Sequence, residues 1–326
     1  FRSSPSLVNY PTADREVQKM ASELWAHSSY GKGKVFSEKY SLADVFAAVA
    51  LSPDCKISDG APISFIHRTT DEGDIYFLSN QSNDFTSFKA TFRVSGKQPE
   101  LWNPLTNEIR ILPEYTEANS SITIPLQLES CESTFIIFRN AEEKTVTGKN
   151  YPQPYVLTTI HTPWKVKFEE RRQGPKESVV FNTLTDWITS EDPRIKYYSG
   201  TADYTNTFTI KEIPSQPTYI NLGKVVAMAK VYLNGKYVGG AWTYPYRLNI
   251  TDYLQKGENT VKIEVVNNWV NRLIGDLKLP AEQRSTWTMV NPWRDDSQLQ
   301  SSGLFGPVRI ESHDYELLKF SPLSDN

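Results

Sequence analysis

Two cysteines, four histidines and three methionines are all the sulfur and imidazole chemistry that 326 residues carry. Cys55 and Cys131 stand far apart and fit no metal-ligand spacing. They read as small buried hydrophobes or idle thiols, since a disulfide needs an oxidising compartment and a geometry that spacing cannot supply. His27, His67, His161 and His313 are too dispersed to suggest a zinc site. His67, at the end of an apolar strand, reads as a satisfied structural residue rather than a catalytic one. Charge of one sign is missing as well: 35 basic against 38 acidic residues leave a net charge of −3 without long runs. No basic footprint exists to neutralise phosphates, so nucleic acid is not an expected partner. No apolar run approaches the ~18 residues of a membrane helix. There is also no G-x-S-x-G elbow, no phosphate-binding glycine loop, no H-E-x-x-H and no C-x-x-C. No cofactor is therefore expected. Asp71, Glu72 and Asp74 share one loop, but Ca²⁺ wants about 6–8 converging oxygens, and a solvated hairpin turn is the simpler reading.

Aromatics, by contrast, are plentiful, with 8 Trp and 17 Tyr. They suit a β-rich protein that packs rings on sheets, and they also suit sugar binding by ring stacking. The most informative stretch runs from Val225 to Trp269. Val231 and Leu233 alternate into Asn234-Gly235, the dipeptide that accepts the positive φ angles of a type I′ hairpin turn. A second turn at residues 256–259 leads into a strand with Val261, Ile263 and Val265 on one face and Lys262 and Glu264 on the other.

The chain divides by texture into three parts. Residues 1–80 carry two amphipathic helices. The first follows Thr12, with Val17, Met20, Ala21, Leu24 and Trp25 inward. The second is capped by Ser41 with Asp44 three residues on, and has Leu42, Val45, Phe46 and Val49 inward. A short buried strand at 34–36 and two more at 63–67 and 75–78 complete what reads as the C-terminal part of a flavodoxin-like α/β domain. Such a half-sheet, together with a start at Phe1, reads as a truncated or processed product. Residues 81–146 form a small β-sandwich, in which Phe88, Ala90, Phe92 and Val94 point inward, followed by strands at 122–128 and 134–138. A polar, proline-bearing linker at 141–154 leads into the β-rich remainder, 147–326, which is long enough for an eight-to-ten-stranded jelly-roll. A helical turn is expected at 184–190, before a breaker at Asp192-Pro193. The fold class is thus mainly β: a C-terminal jelly-roll, a small antiparallel unit and an N-terminal α/β half-domain.

The hairpin, the PYRLNITDYL crossover and the KGENTVKIEV strand together resemble the galactose-binding-like jelly-roll of glycoside hydrolase family 2. FIHRTTDEGDIYFLSNQ (65–81), PELWNPLTNEIRIL (99–112), DPRIKYYSGTADYTNTF (192–208), NNWVNRLIGDLKLP (267–280) and SSGLFGPVRI (301–310) occur in the order seen in family 106, the α-L-rhamnosidases. Nearly the whole chain shares in this second resemblance, which implies polysaccharide degradation, a carbohydrate partner and a secreted or periplasmic setting. It also implies a (β/α)-barrel that carries the catalytic carboxylates. A barrel takes about 200 residues of repeating strand–helix units, and none occurs here. Glycoside hydrolysis needs two carboxylates about 5–9.5 Å apart, and no such pair stands out. The expectation is a region that supports a catalytic barrel located elsewhere in the same protein and does not hydrolyse alone. A free-standing carbohydrate-binding module is the alternative. An amidotransferase-like α/β enzyme would need a nucleophile, and Cys55 has no neighbouring histidine.

Two segments are candidates for sugar contact. In one, Trp242, Tyr244 and Tyr246 can stack on sugar rings while Arg247 donates hydrogen bonds; the same aromatics could instead plug the end of the sandwich. The other gathers Trp269, Asn271, Arg272 and Asp276 in a loop after the 260–266 strand. That loop either completes an active site or seals an interface with the barrel.

Overall fold

The computed structural model describes residues 2–58, 60–140, 147–315 and 317. Two compact units divide at residue 54. The first holds helix α1 (Thr12–Trp25), a two-residue hairpin β1 (Ser29–Tyr30) and β2 (Gly33–Lys34), and helix α2 (Leu42–Ala48). The capping box of α2 forms as its sequence requires: the Asp44 amide donates to Ser41 Oγ at 3.2 Å and the Ser41 amide donates to Asp44 Oδ2 at 3.0 Å. Hydrogen bonds from Ser41 hold the Asp44 carboxyl below its usual range. The apolar stripes differ from expectation, because neither helix buries a residue and Met20 is 60% exposed. A stripe is buried only where a second layer faces it. The buried strand expected at 34–36 is likewise absent; the backbone turns at Gly31 (φ 57°) into the exposed hairpin.

The second unit, residues 55–326, is built mainly of β-strands among its described residues. Its first part contains β3 (Cys55–Ile57), β4 (Ile63–Thr69), β5 (Asp74–Asn80), β6 (Thr86–Phe92), β7 (Gln98–Trp102), β8 (Ile109–Ile111), β9 (Thr116–Ala118), β10 (Ser121–Leu128) and β11 (Ser133–Arg139). They form two antiparallel sheets, β3-β6-β10-β9 and β4-β5-β11-β7-β8. Here the sequence reading is corrected. β4 and β5 do not belong with the helices, since β5 pairs with β11 from Asp74↔Phe138 to Ser79↔Ser133. Tyr76 of β5 stacks edge-on against Phe92 at 4.8 Å, and Phe92 meets Phe138 at 5.1 Å, so the core is shared between the sheets. Phe88, Ala90, Phe92 and Val94 are buried in it as expected. Cys55 lies buried on β3 and Cys131 exposed at a turn, with no disulfide between them. Part of the expected linker, residues 141–146, lies outside the described residues.

The jelly-roll follows, with β12 (Tyr155–Thr159), β13 (Trp164–Phe168), β14 (Val179–Phe181), β15 (Thr201–Ile210), β16 (Thr218–Asn221), β17 (Lys224–Val226), β18 (Met228–Leu233), β19 (Lys236–Ala241), β20 (Arg247–Asn249), β21 (Gly257–Val266), β22 (Gly303–Gly306) and β23 (Arg309–Ser312). One sheet runs β14-β13-β15-β21-β18-β19, the other β12-β23-β16-β20, and β17-β22 make a short ribbon. Asn234 (φ 52°) and Gly235 (φ 78°) are the tip of the β18–β19 hairpin, both left-handed as a type I′ turn demands. Val261, Ile263 and Val265 are fully buried, while Lys262 and Glu264 face outward and bond each other at 2.6 Å. Trp187–Thr189 is a 3-10 turn, as the sequence suggested. Asp192-Pro193, read as a breaker, instead starts helix α3 (Pro193–Lys196), with Asp192 as its cap and proline at the first position.

Strand alternation gives the second sheet two unlike faces. Ile220 and Ile310 point into the core, and Leu248 packs against it. The intervening residues (Tyr219 and Asn221 on β16, Arg247 and Asn249 on β20, Arg309 and Glu311 on β23) share the opposite face by register.

Candidate carbohydrate-facing surfaces

The two candidate segments leave the same end of the six-stranded sheet. Ala229 pairs with Ala241 on one side and Val265 on the other, and Met228 pairs with Val266. Strands lie about 4.8 Å apart, so the β19 and β21 exits are separated by roughly two strand spacings, with Met228 between them. Trp242 is 65% exposed and Trp269 66% exposed, and Met228 is exposed too. These two indoles are the members of the candidate set that present stacking faces to solvent.

The remaining residues of the first segment turn away from that surface. Tyr244 and Tyr246 pack against the jelly-roll core with ring centroids 4.8 Å apart. Burial pushes the Tyr246 hydroxyl pKa up. The chain then crosses to the other sheet, which places Arg247 on β20. Sequence reading placed these four side chains together; the fold divides them between a solvent edge, a core plug and a polar sheet face.

The second segment is a helix rather than a loop. α4 (Val270–Leu277) buries Val270 through Asp276. Asn271 donates through Nδ2 to Gln300 O (2.6 Å) and accepts from Gln300 N (2.8 Å), tying the helix to the chain that enters β22. Asp276, 2% exposed, accepts through Oδ2 from the backbone and hydroxyl of both Ser285 and Thr286 at 2.7–3.0 Å. Burial pushes this carboxyl up, but the donors from Thr286 and Ser285 and the Arg272 charge outweigh it, so its pKa falls. Arg272 Nη1 donates to Gln173 Oε1 at 2.9 Å and lies 3.4 Å from Asp276 Oδ1. Its Nε and Nη2 are buried and meet no acceptor among the described residues. Asn271 and Asp276 are therefore tied into the fold by hydrogen bonds, Arg272 is buried with donors to spare, and Trp269 of this group faces solvent.

His67 is structural, with its ring stacked on Tyr76 at 4.1 Å and Nε2 3.1 Å from Asp74 Oδ1. Asp74 also accepts from Lys97 Nζ at 2.9 Å and Thr69 Oγ1 at 3.0 Å, which takes it out of the 71–74 loop as a free ligand. Among the described residues no three His, Cys, Asp or Glu side chains converge on one point.

A polar cavity of about 380 Å³ lies where the smaller sandwich covers the outer face of the second jelly-roll sheet. Sequence reading found one of its residues, Arg247. Glu108, from the β7–β8 hairpin, accepts from the Tyr219 hydroxyl at 2.7 Å and from Asn249 Nδ2 at 3.1 Å. Glu311 accepts from Asn221 Nδ2 at 3.2 Å. His313 Nε2 lies 3.4 Å from both Arg247 Nη1 and Glu311 Oε1. One ring nitrogen serves only one of these: it donates to Glu311 when protonated or accepts from Arg247 when not. Burial raises the Glu311 carboxyl, yet His313, Asn221 and Arg247 more than compensate, and its pKa is lowered. Glu132, also at the cavity, is pushed up by burial. Arg110 donates to Asn150 O at 2.6 Å and lies over the rings of Tyr151 and Tyr315 at 5.0 and 4.8 Å.

Residues 2–117 match the α-L-rhamnosidases of glycoside hydrolase family 106, and residues 178–295 match the galactose-binding-like domain of glycosyl hydrolase family 2. The chain is rhamnosidase-like. A solved rhamnosidase from Novosphingobium sp. PP1Y matches it with a TM-score of 0.86 and 35% identity, over 95% of this chain and 30% of that one. A protein of Formosa agariphila with a provisional β-glucuronidase name is 30% identical, over 95% of this chain and 47% of its own length. A β-galactosidase of Priestia megaterium is 31% identical over 58% of this chain and 18% of its own length. The rhamnosidase-like chain thus spans about half, or less, of these relatives. Among its described residues no helix is long and apolar enough to cross a membrane.

Proposed function

We propose that this chain is an accessory region of a rhamnosidase-like glycoside hydrolase that degrades polysaccharide, and that it supports a catalytic barrel of the same protein rather than cutting the glycosidic bond itself. The observation that carries this reading is how two of the cavity's carboxylates, Glu108 and Glu311, are used. Glu108 is taken by Tyr219 and Asn249, and Glu311 by Asn221 and His313. A glycosidase needs an acid and a base or nucleophile free to exchange protons or attack, about 5–9.5 Å apart across one bond. Carboxylates locked into the fold's own hydrogen bonds do not meet that need.

In this reading the exposed end formed by Trp242, Met228 and Trp269 faces the barrel. Large exposed indoles are costly to leave in water and are common at interfaces. The substrate is a polysaccharide outside the cytoplasm, in the periplasm or beyond the cell. Names among the relatives include rhamnosidase, β-glucuronidase and β-galactosidase, so rhamnosides are the first substrates to try rather than the last.

The test is complementation. A separately produced barrel of the same protein should gain activity and co-elute with this chain, and Trp242→Ala with Trp269→Ala should weaken that association. A fully active barrel that ignores the chain would defeat the reading. Exposure of Trp242 and Trp269 also suits a free-standing carbohydrate-binding module; saturable sugar binding lost in either tryptophan variant would favour that second reading.

A further inference from the structure

The cavity between the two sandwiches has an uneven hydrogen-bond balance. Two of its four glutamates, Glu108 and Glu311, are supplied with donors by the fold, as described above. Two of its three arginines, Arg110 and Arg247, make few hydrogen bonds among the described residues, although the charges of Glu108, Glu132 and Glu311 lie near them. Among the described residues Arg110 donates to Asn150 O, lies over the rings of Tyr151 and Tyr315, and has the Tyr151 hydroxyl beside it. Arg247 makes one long contact, to His313, and lies over Tyr219 at 4.9 Å. Each guanidinium carries five N–H donors, so most of these remain available to an acceptor in the cavity.

We infer that this cavity is a binding site for a carboxylate-bearing (uronic acid) unit of an oligosaccharide, held by Arg110 and Arg247. Three features support it. A cavity of about 380 Å³ is in the size range of small-molecule sites. It opens at Arg110, Pro152 and Tyr315 into a wider cleft of about 1090 Å³, which gives a longer sugar chain room to continue. Arginine forks match a carboxylate in a planar, two-bond geometry that a hydroxyl does not reproduce. The choice of sugar as ligand rests on the carbohydrate reading above; the choice of an acidic one rests on the unspent arginine donors.

The experiment is a calorimetric titration of the chain with tetragalacturonic acid and with its fully methyl-esterified form, which keeps the shape and removes the charge. The acid should bind saturably, and the ester on the order of tenfold more weakly, the worth of one charge-assisted hydrogen bond. Arg247→Gln and Arg110→Gln should each erase the preference for acid over ester. Val180→Ala, at an exposed site on β14, should leave it intact. If an arginine variant fails to fold, the acid-versus-ester preference of the unaltered chain and its weakening by salt still decide. Equal affinity for acid and ester, no saturable binding, or a preference that survives both arginine variants would mean a water-filled seam only. The titration needs neither barrel nor turnover, so its failure leaves the accessory role standing. Failed complementation, in turn, would leave this site untouched.

Discussion

Glu108 Oε1 accepts the Tyr219 hydroxyl at 2.7 Å and so fastens the β7–β8 hairpin of the smaller sandwich to the polar face of the jelly-roll. Both groups are largely withdrawn from water, and burial, followed by the neighbouring Tyr315 and Glu108, holds the Tyr219 hydroxyl protonated far above its usual range. Tyr219→Phe removes the donor and leaves Glu108 with Asn249 and the exposed Thr106 hydroxyl. The expected loss is about 1–3 kcal/mol, the range for orphaning a buried polar partner. Urea unfolding of the variant against the unaltered chain measures it, and a loss below a few tenths would show that the seam contributes little.

Asp276 makes a pH-dependent contribution with a defined sign. Its folded pKa lies below the ordinary 3.8. A depressed folded pKa gives stability that is fully present above 3.8 and lost as pH falls through the folded value. Asp276→Asn should therefore cost about 2 kcal/mol at neutral pH, with the difference from the unaltered chain shrinking below pH 3.8. Urea midpoints measured from pH 7 down to pH 2.5 check this, and a constant difference across that range would contradict it.

Two glycines with similar positive φ should respond differently to alanine. Gly235 (φ 78°) sits at the hairpin tip, where an added Cβ meets nothing within 4 Å. Gly235→Ala should cost only the left-handed backbone penalty, roughly 1–2 kcal/mol. Gly223 (φ 67°) faces Gly306, whose carbonyl oxygen would lie 2.1 Å from the new Cβ. Gly223→Ala must displace backbone as well and should lower the melting temperature clearly further. Equal shifts in thermal unfolding would mean that the β17–β22 ribbon yields easily.

The exposed end of the six-stranded sheet should promote self-association of the isolated chain. Trp242→Ala and Trp269→Ala together should shift sedimentation velocity toward monomer at a fixed protein concentration. Unchanged sedimentation would remove the tryptophans from any interface.

Local signals were legible and non-local ones were not. Asn234-Gly235, the Ser41–Asp44 capping box and the alternation of Val261, Ile263 and Val265 depend on neighbours in sequence, and each forms as written. β4 and β5 were read as strands correctly but given to the wrong layer, because their partner, β11, lies more than fifty residues away. α4 carries a helical signal, Val270, Leu273, Ile274 and Leu277, that its amides and charges obscured. The polar cavity had no linear signature at all. Tyr219, Arg247 and Glu311 meet only through the register of β16, β20 and β23, and Glu108 arrives from another sheet.

Hydrolysis by the purified chain tests the central claim most directly. Incubated with aryl α-L-rhamnosides and other aryl glycosides, it should release no phenol above background, because Glu108 and Glu311 of its cavity are held in the fold's own hydrogen bonds. Robust turnover that one Asp or Glu substitution abolishes would contradict the accessory reading outright.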